Sequence, residues 1–428
     1  MDNQQLSSAA SSSTSLSIPA TPPSVIYKHN RYLSNLSLPS LNSEYFMNHD
    51  HLKPGNNAEL LSYDKTIIMY RENAKRSNDP TIQCDLAIYL YESSKNPNRK
   101  PEERIAYMSE AIKILKATST RGHAESQYYL ANIYASGATH KSGKPDFGNA
   151  FPLFVQAAKR QHADASYRAA KCYEDGLGCL KNKSKSVQFY RLAATLNHPG
   201  AMYRLGLANI NGELGLHRNV RDGNKWLKRS AEAATTEYPH ALHELGLLHE
   251  KGLDGIIFKD VQYSVQLYTR AAELGYVPSA YRLGQCYEYG YLKCERDAYA
   301  SIYYYTMAAQ QGNPDACFAL SAWYLSGDPP RIEPSGERAL YWAQLAAQKG
   351  IVKAVFALGY FAESGIGRQK DMNEAIRWYK KAASQGNEQA RKRLVELDSS
   401  LLSSVPNSNN NNNNNITISS NMVAGKAR

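Results

Sequence analysis

The sequence predicts an all-α fold, a right-handed α-solenoid of stacked helix pairs, and three observations predict it. A phrase of small residue, aromatic, Leu-Gly or Ala-Ala, then aromatic-x-x-Gly recurs seven times. It closes at Gly137, Gly176, Gly212, Gly252, Gly290, Gly327 and Gly365, spaced by 39, 36, 40, 38, 37 and 38 residues. A second phrase, a pair of small residues near the end of an aromatic-rich stretch, keeps the same step. It reads Ala157-Ala158, Ala193-Ala194, Ser230-Ala231, Ala271-Ala272, Ala308-Ala309, Ala346-Ala347 and Ala382-Ala383. Third, helix-stop and helix-start residues stand between the phrases at matching places. Two phrases keeping one period of about 38 residues mark a stacked repeat, each unit of which buries its apolar face only against its neighbours.

The elements follow in order. Residues 1–58 are Ser-, Asn- and Pro-rich and are expected to be disordered. Within them Thr21-Pro22 is a candidate proline-directed phosphosite, and the run Tyr27 to Leu41 with Tyr45 and Phe46 a candidate docking motif. Residues 59–122 read as degenerate capping repeats, with helices expected over 59–77, 80–93 and 102–119. Residues 123–398 hold seven repeats and a charged closing helix at 387–399. Residues 399–428, with the Asn409 to Asn415 run, read as a second disordered tail.

Within each repeat, helix A runs about 12 residues to its closing glycine, which supplies a left-handed cap. Helix B is expected to start after Asp146, Asp222, Asp260, Asp297 or Asp371, because an Asp oxygen accepts a free first-turn N–H. Turns at Asn197, Gly275, Gly312, Gly350 and Gly386 lead to the next helix A. Gly206, Gly246, Gly284, Ser321 and Gly359 fall in mid-helix, where Gly costs about 1 kcal/mol against Ala. Close approach of the two helices is the expected compensation, with the small-residue pairs of helix B as the facing surface.

The formal net charge of +11 fits an acidic partner or an anionic membrane surface. The densest basic cluster is Lys370, Arg377, Lys380, Lys381, Arg391, Lys392 and Arg393, which reads either as a solvated helix face or as a partner or lipid surface. Tyr outnumbers Phe by 31 to 9, which suits half-buried or binding surfaces. The six cysteines have no CxxC pair and no zinc-like His spacing, so free buried thiols in a reducing compartment are expected. No apolar run resembles a signal peptide or a membrane span. A cytosolic protein is therefore expected, in which the Asn-x-Ser/Thr matches at Asn35, Asn182 and Asn415 carry no glycan.

No catalytic constellation stands out, and no enzyme activity is expected. There is no P-loop, no nucleophile elbow and no dinucleotide fingerprint. His240 and His243 lie three apart on one helix but lack a third ligand at fixed spacing. No cofactor, metal or nucleic acid is expected. The binding candidates stand on helix A. Nine residues before each closing glycine the chain reads Tyr128, Tyr167, Tyr203, His243, Tyr281, Phe318 and Phe356. The next position reads Tyr129, Arg168, Arg204, Glu244, Arg282, Ala319 and Ala357. The pairs Tyr167-Arg168, Tyr203-Arg204 and Tyr281-Arg282 would stack on and pair with an acidic or aromatic peptide. Packing between neighbouring repeats is the stronger explanation of the aromatic column, while Arg168, Arg204 and Arg282 are less constrained by the repeat pattern.

These residues resemble the Sel-one-like repeat family, a relative of the tetratricopeptide repeats. Its pattern is A-x-x-x-L-G-x-x-Y-x-x-G-x-G, then D-x-x-x-A-x-x-W-Y-x-x-A-A-x-x-G. Ala354 to Gly386 follows it through Leu358-Gly359, Gly365-Ile366-Gly367, Asp371, Ala375, Trp378-Tyr379 and Ala382-Ala383. The resemblance covers about residues 60–398. Within that family the first repeats look like the fungal chitin synthase activators. That likeness rests on the loop from Gly137 to Asp146, on Phe147 to Arg160, on Ala163 to Gly176 and on Arg191 to Gly206.

The resemblance implies a non-catalytic subunit that binds and activates a membrane chitin synthase at the bud neck or septum. It also implies a link to a septin-associated scaffold. Those relatives often finish in a prenylation box, whereas here no cysteine follows Cys317, so membrane attachment is expected through partners. The alternatives are a general scaffold in a signalling or cell-cycle pathway, told apart by what copurifies, and an enzyme on a repeat scaffold, which needs a compact polar cluster.

Overall fold

The computed structural model describes residues 63–139 and 142–403, with side chains from 66 to 398 apart from 140 and 141. The tail of residues 1–58, Thr21-Pro22, the Tyr27 to Leu41 run and the Asn409 to Asn415 run lie outside the described residues. Eighteen α-helices, one short 3-10 turn and no strand occur among the described residues, and by contact the chain divides at Asn313/Pro314 into two units.

The first unit begins with α1 (Tyr63–Ser77), α2 (Pro80–Lys95) and α3 (Pro101–Thr120). Four helix pairs follow: α4 (Ala124–Ala135) with α5 (Phe147–Lys159), α6 (Ala163–Asp175) with α7 (Lys183–Thr195), α8 (Pro199–Asn211) with α9 (Val220–Glu232), and α10 (His240–Lys251) with α11 (Val261–Glu273). The fifth pair is α12 (Val277–Tyr289) with α13 (Ala298–Gln310). The second unit holds α14 (Pro314–Ser326) with α15 (Gly336–Gln348), α16 (Val352–Ser364) with α17 (Met372–Ser384), and the closing α18 (Glu388–Ser403). The helix expected to end at 399 thus runs on to Ser403, past the point where the tail was expected to start.

Helix A stops where its glycine turns left-handed. Gly176 takes φ 77° and donates its N–H to the Cys172 carbonyl, closing the last turn of α6. Helix B starts on a side-chain cap in each repeat, with two differences from expectation. The cap of α9 is Asn219, not Asp222: Asn219 Oδ1 accepts the Asp222 N–H at 3.1 Å, and Asp222 accepts the Asn219 amide in return at 2.8 Å. Asp222 stands three residues too late to cap, because its own N–H is one of the orphan donors. Asn182 and Ser335 cap α7 and α15 in the same way.

The mid-helix small residues do mark close approach, but the small-residue pairs are not what they face. A Cβ on Gly246 would stand 2.5 Å from the Tyr268 ring, and one on Gly359 2.6 Å from Tyr379. In repeat three Gly206 faces Leu227 instead, and Ser321 donates its hydroxyl to the Ala339 carbonyl at 2.8 Å. The missing Cβ makes room for a ring three residues before the small pair of helix B. Tyr268, Tyr305 and Tyr379 are essentially fully buried there. Burial of such a ring is worth about 2 kcal/mol, which offsets the cost of a helical glycine.

Candidate functional site

Each closing glycine fixes the register of its helix A, so one position nine residues earlier repeats through the stack. In the first unit Tyr128, Tyr167, Tyr203, His243 and Tyr281 are all half-buried. Four of them pack against the segment that enters the next helix A. Tyr128 meets His162 at 4.5 Å between centroids, and Tyr167 stacks on His198 at 4.4 Å. Tyr203 meets His240 at 5.7 Å, and His243 meets Tyr276 at 5.3 Å. Tyr281 packs on Tyr305 at 5.7 Å. The aromatic column is therefore used in packing, and each of its residues stays only half-buried. His240 and His243 serve this packing too. Burial pushes the His243 imidazole down to about 4, and the ring hydrogen-bonds Ser279 at 2.8 Å.

The histidines under the column have two tasks. His162 Nδ1 accepts the Ala165 N–H and His198 Nδ1 accepts the Ala201 N–H, each at 3.2 Å, as helix caps. An accepting Nδ1 leaves the proton on Nε2. That nitrogen faces the preceding repeat: His162 reaches Glu125 at 3.0 Å and His198 reaches Asp164 at 3.2 Å. Burial works to raise the Asp164 carboxyl, but the hydrogen bond from His198 and the nearby Arg168 charge outweigh it and hold it low.

The arginine column separates into two kinds. Arg204 Nη2 lies 2.6 Å from Glu174 and Nη1 2.5 Å from Glu213. Glu174 also accepts the Tyr190 hydroxyl at 2.5 Å. Arg282 pairs with Glu250, which accepts the Tyr268 hydroxyl at 2.9 Å. Within the second unit Arg393 pairs with Glu363, which accepts the Tyr379 hydroxyl at 2.7 Å. Each is a Tyr–Glu–Arg chain that ties the two helices of one repeat to the first helix of the next. The carboxylate pays for burial here with two charge-assisted or phenolic donors. Burial alone would raise Glu174; the Arg204 and Tyr190 hydrogen bonds overcome it and lower it.

Arg168 is different. The carboxylate of each chain stands two residues before the closing glycine of the preceding repeat, and for Arg168 that position is Ala135. Among the described residues no carboxylate lies within ion-pair distance of Arg168. The residue keeps solvent exposure, and although burial works to lower its guanidinium, the neighbouring phenols of Tyr128, Tyr238 and Tyr167 outweigh it and hold it raised. Of the six residues singled out from the sequence, Tyr167 and Arg168 thus stand together beside Tyr128 and Tyr238. Arg204 and Arg282 sit in the same register with their guanidinium groups already engaged. Sequence reasoning missed Glu174, Glu250 and Glu363, although Glu at that register in four of seven repeats was a readable signal. It also missed Tyr238, which follows no repeat position.

In the second unit the same column opens into a pocket of 580 Å³, lined by Phe318, Leu325, Phe356 and Tyr360 with Lys353 and Glu388 at its polar side. Among the described residues no group of His, Cys, Asp or Glu is placed to hold a metal ion, and no helix is long and apolar enough to cross a membrane.

Comparison with known proteins gives these features their context. The chain is 48% identical over 358 residues to the chitin synthase regulator SKT5 of Malassezia restricta, covering 81% of this chain and 25% of that protein. It is 38% identical over 366 residues to the SKT5 regulator of Saccharomyces cerevisiae, covering 81% and 52%. It is 36% identical over 340 residues to chitin synthase regulatory factor 3 of Schizosaccharomyces pombe, covering 76% and 36%. The chain thus spans between a quarter and about half the length of these relatives. A solved protective antigen of uropathogenic Escherichia coli with the SLR fold superposes with a TM-score of 0.53 at 26% identity, covering 78% of this chain and 67% of that one. The Sel1 repeat protein of Oxalobacter formigenes superposes with the same score at 24% identity, covering 78% and 91%. The Sel1 repeat model itself matches seven consecutive segments, 124–162, 163–198, 199–234, 239–276, 277–313, 314–351 and 352–387. With the period, the helix pairs and these matches in agreement, the chain belongs to the Sel1 repeat family.

Proposed function

We propose that this protein is a non-catalytic activator and targeting adaptor of a membrane chitin synthase, promoting cell-wall and septum chitin synthesis by protein–protein binding. The observation that carries the reading is the identity of 48% and 38%, each over 81% of the chain, to proteins named chitin synthase regulators. The repeats supply the binding surface. Arg168, exposed beside Tyr128, Tyr167 and Tyr238 and, among the described residues, without a carboxylate in ion-pair contact, suits a carboxylate next to an aromatic residue on a cytosolic segment of the synthase. The half-buried Tyr203 and Tyr281 would extend that surface, with the guanidinium groups of Arg204 and Arg282 serving mainly to hold the repeats in register.

Activation then needs only differential affinity. A surface that binds the active synthase tenfold more tightly than the inactive one shifts that equilibrium by about 1.4 kcal/mol. We place the protein in the cytoplasm, recruited to the plasma membrane at the bud neck or septum, with a septin-associated scaffold as its second partner.

The test is purification of the tagged protein from its own cells in mild detergent, beside an Arg168→Glu variant, with cell-wall chitin measured in a deletion strain. Copurification of a chitin synthase with the wild type and lowered chitin on deletion are the expected results. Unchanged chitin would overturn the function. A synthase recovered equally with Arg168→Glu would overturn the site and leave the function standing.

A further inference from the structure

Repeats two and three carry an unbalanced run of charge on their second helices and the loops before them. Between Gly176 and His198 stand Lys181, Lys183, Lys185 and Arg191 and no Asp or Glu. Between Leu214 and Ala233 stand Arg218, Arg221, Lys225, Lys228 and Arg229 against Asp222 and Glu232. All nine cations are exposed. Lys225 has Asp222 at 3.3 Å and Arg218 has Asp254 at 2.5 Å. Among the described residues the other seven have no carboxylate within ion-pair distance.

The two helices share one packing partner and one core. Both α7 and α9 pack on α8, and Val187 and Tyr190 of α7 share a core with Leu214, Leu216 and Trp226 from the loop and helix that follow α8. The cations therefore lie on one continuous face, where like charges repel and stability gains nothing from them. Such a face is used when it meets an anion.

Apolar tips stand at the edge of that face. Each helix A turns back into its helix B through a short loop, so these loops share one edge of the unit. Arg218 in the loop after α8 pairs with Asp254 in the loop after α10, fixing that neighbourhood. Leu180, in the loop before α7, is 91% exposed and is followed by Lys181 and Lys183. Phe258, in the loop before α11, is 75% exposed and is followed by Lys259. The Phe258 loop is held in place rather than loose: its carbonyl lies 3.0 Å from His249 Nδ1, and Leu253 bridges to Ile257. A bilayer with anionic headgroups offers both an apolar layer for the tips and a charged layer for the lysines.

We propose that the exposed face of α7 and α9, with the loop edge bearing Leu180 and Phe258, docks directly on an anionic lipid bilayer. The contact is peripheral: the tips enter the headgroup boundary and the cations pair with headgroups. It is independent of the synthase reading, since neither Arg168 nor the aromatic column takes part. It would turn recruitment by a partner into a two-point attachment and fix which side of the repeats faces the membrane.

The experiment is sedimentation of the full chain with vesicles of phosphatidylcholine alone or phosphatidylcholine with phosphatidylserine, read as an apparent Kd. Three proteins are compared: wild type, Lys181→Glu/Lys183→Glu/Lys185→Glu/Arg191→Glu, and Leu180→Asp. All changes are on exposed side chains, and circular dichroism confirms the helices. Binding only to the phosphatidylserine vesicles is expected, weakened about tenfold or more by the quadruple change and by raised salt, and several-fold by Leu180→Asp. Equal binding to both vesicles, no binding to either, or a quadruple variant that binds like the wild type would overturn the proposal. So would displacement of the protein by a polyglutamate peptide with no effect of Leu180→Asp, which would give the face to an acidic protein.

Discussion

Gly284 on α12 lies so close to Tyr305 on α13 that a Cβ at 284 would stand 2.5 Å from the Tyr305 ring. The ring is held from its other end, because the Tyr305 hydroxyl donates to Glu288 at 2.6 Å. It can neither retreat nor rotate away without losing that bond. Gly284→Val should therefore cost about 3 kcal/mol by overpacking. Gly284→Ala should cost less, since the methyl is smaller and returns about 1 kcal/mol of helix propensity. Thermal unfolding followed by circular dichroism checks both. A Val variant as stable as the wild type would mean that α12 and α13 are not in this contact.

Arg204→Ala removes the cation from a partly buried Glu174. With one donor left on the carboxylate, we expect a loss of about 1–3 kcal/mol in urea unfolding.

The same pair makes stability depend on pH. The Glu174 carboxyl is lowered in the folded protein from its ordinary 4.5. Its contribution is thus complete above that ordinary value and is lost as pH falls through the lowered one. Glu174→Gln should narrow the stability difference between about pH 7 and about pH 3. An unchanged difference would assign the acid sensitivity to other carboxylates, such as Glu363 and Asp164.

Arg168→Glu should behave oppositely to Arg204→Glu. Among the described residues Arg168 has no carboxylate in ion-pair contact and only Asp164 one turn away on α6, so its reversal should cost about 1 kcal/mol. Arg204→Glu would face Glu174 and Glu213 and should destabilise clearly. The comparison needs only unfolding curves. Equal losses would mean that Arg168 has a structural carboxylate partner.

Thiol reactivity should single out one cysteine. Burial pushes the Cys84 and Cys172 thiols up to about 12. The Cys294 thiol is shifted down by a hydrogen bond from Cys286 and is only half-buried. Limited alkylation at neutral pH, read by mass spectrometry, should label Cys294 first. Cys294→Ser should remove the fast phase.

The corrected cap of α9 has its own check. Asn219→Ala should cost about 1 kcal/mol, and Asp222→Ala less. The reverse order would restore Asp222 as the cap.

Much of this architecture was legible in the chain. The seven closing glycines set the ends of helix A because only glycine enters the left-handed region cheaply, and the caps Asp146, Asp260, Asp297 and Asp371 set the starts of helix B. Asp222 misled because Asn and Asp both cap, and which one does depends on a shift of three residues that composition does not resolve. Gly246 and Gly284 were readable as sites of close approach. The rings of Tyr268 and Tyr305 were not, since the contact crosses between two helices.

The sequence by itself determined the period, the helix pairs and the family, because these rest on local rules: where a helix can start, where it must stop, and which face repeats. It also set out the column containing Arg168, Arg204 and Arg282, which looks uniform along the chain. Only the tertiary structure decided that Arg204 and Arg282 are held by Glu174 and Glu250 while Arg168 is not. The physical reason is that ion pairing depends on what stands 30 or so residues away in the neighbouring repeat, where an Ala135 in place of a Glu leaves a guanidinium to find its carboxylate elsewhere.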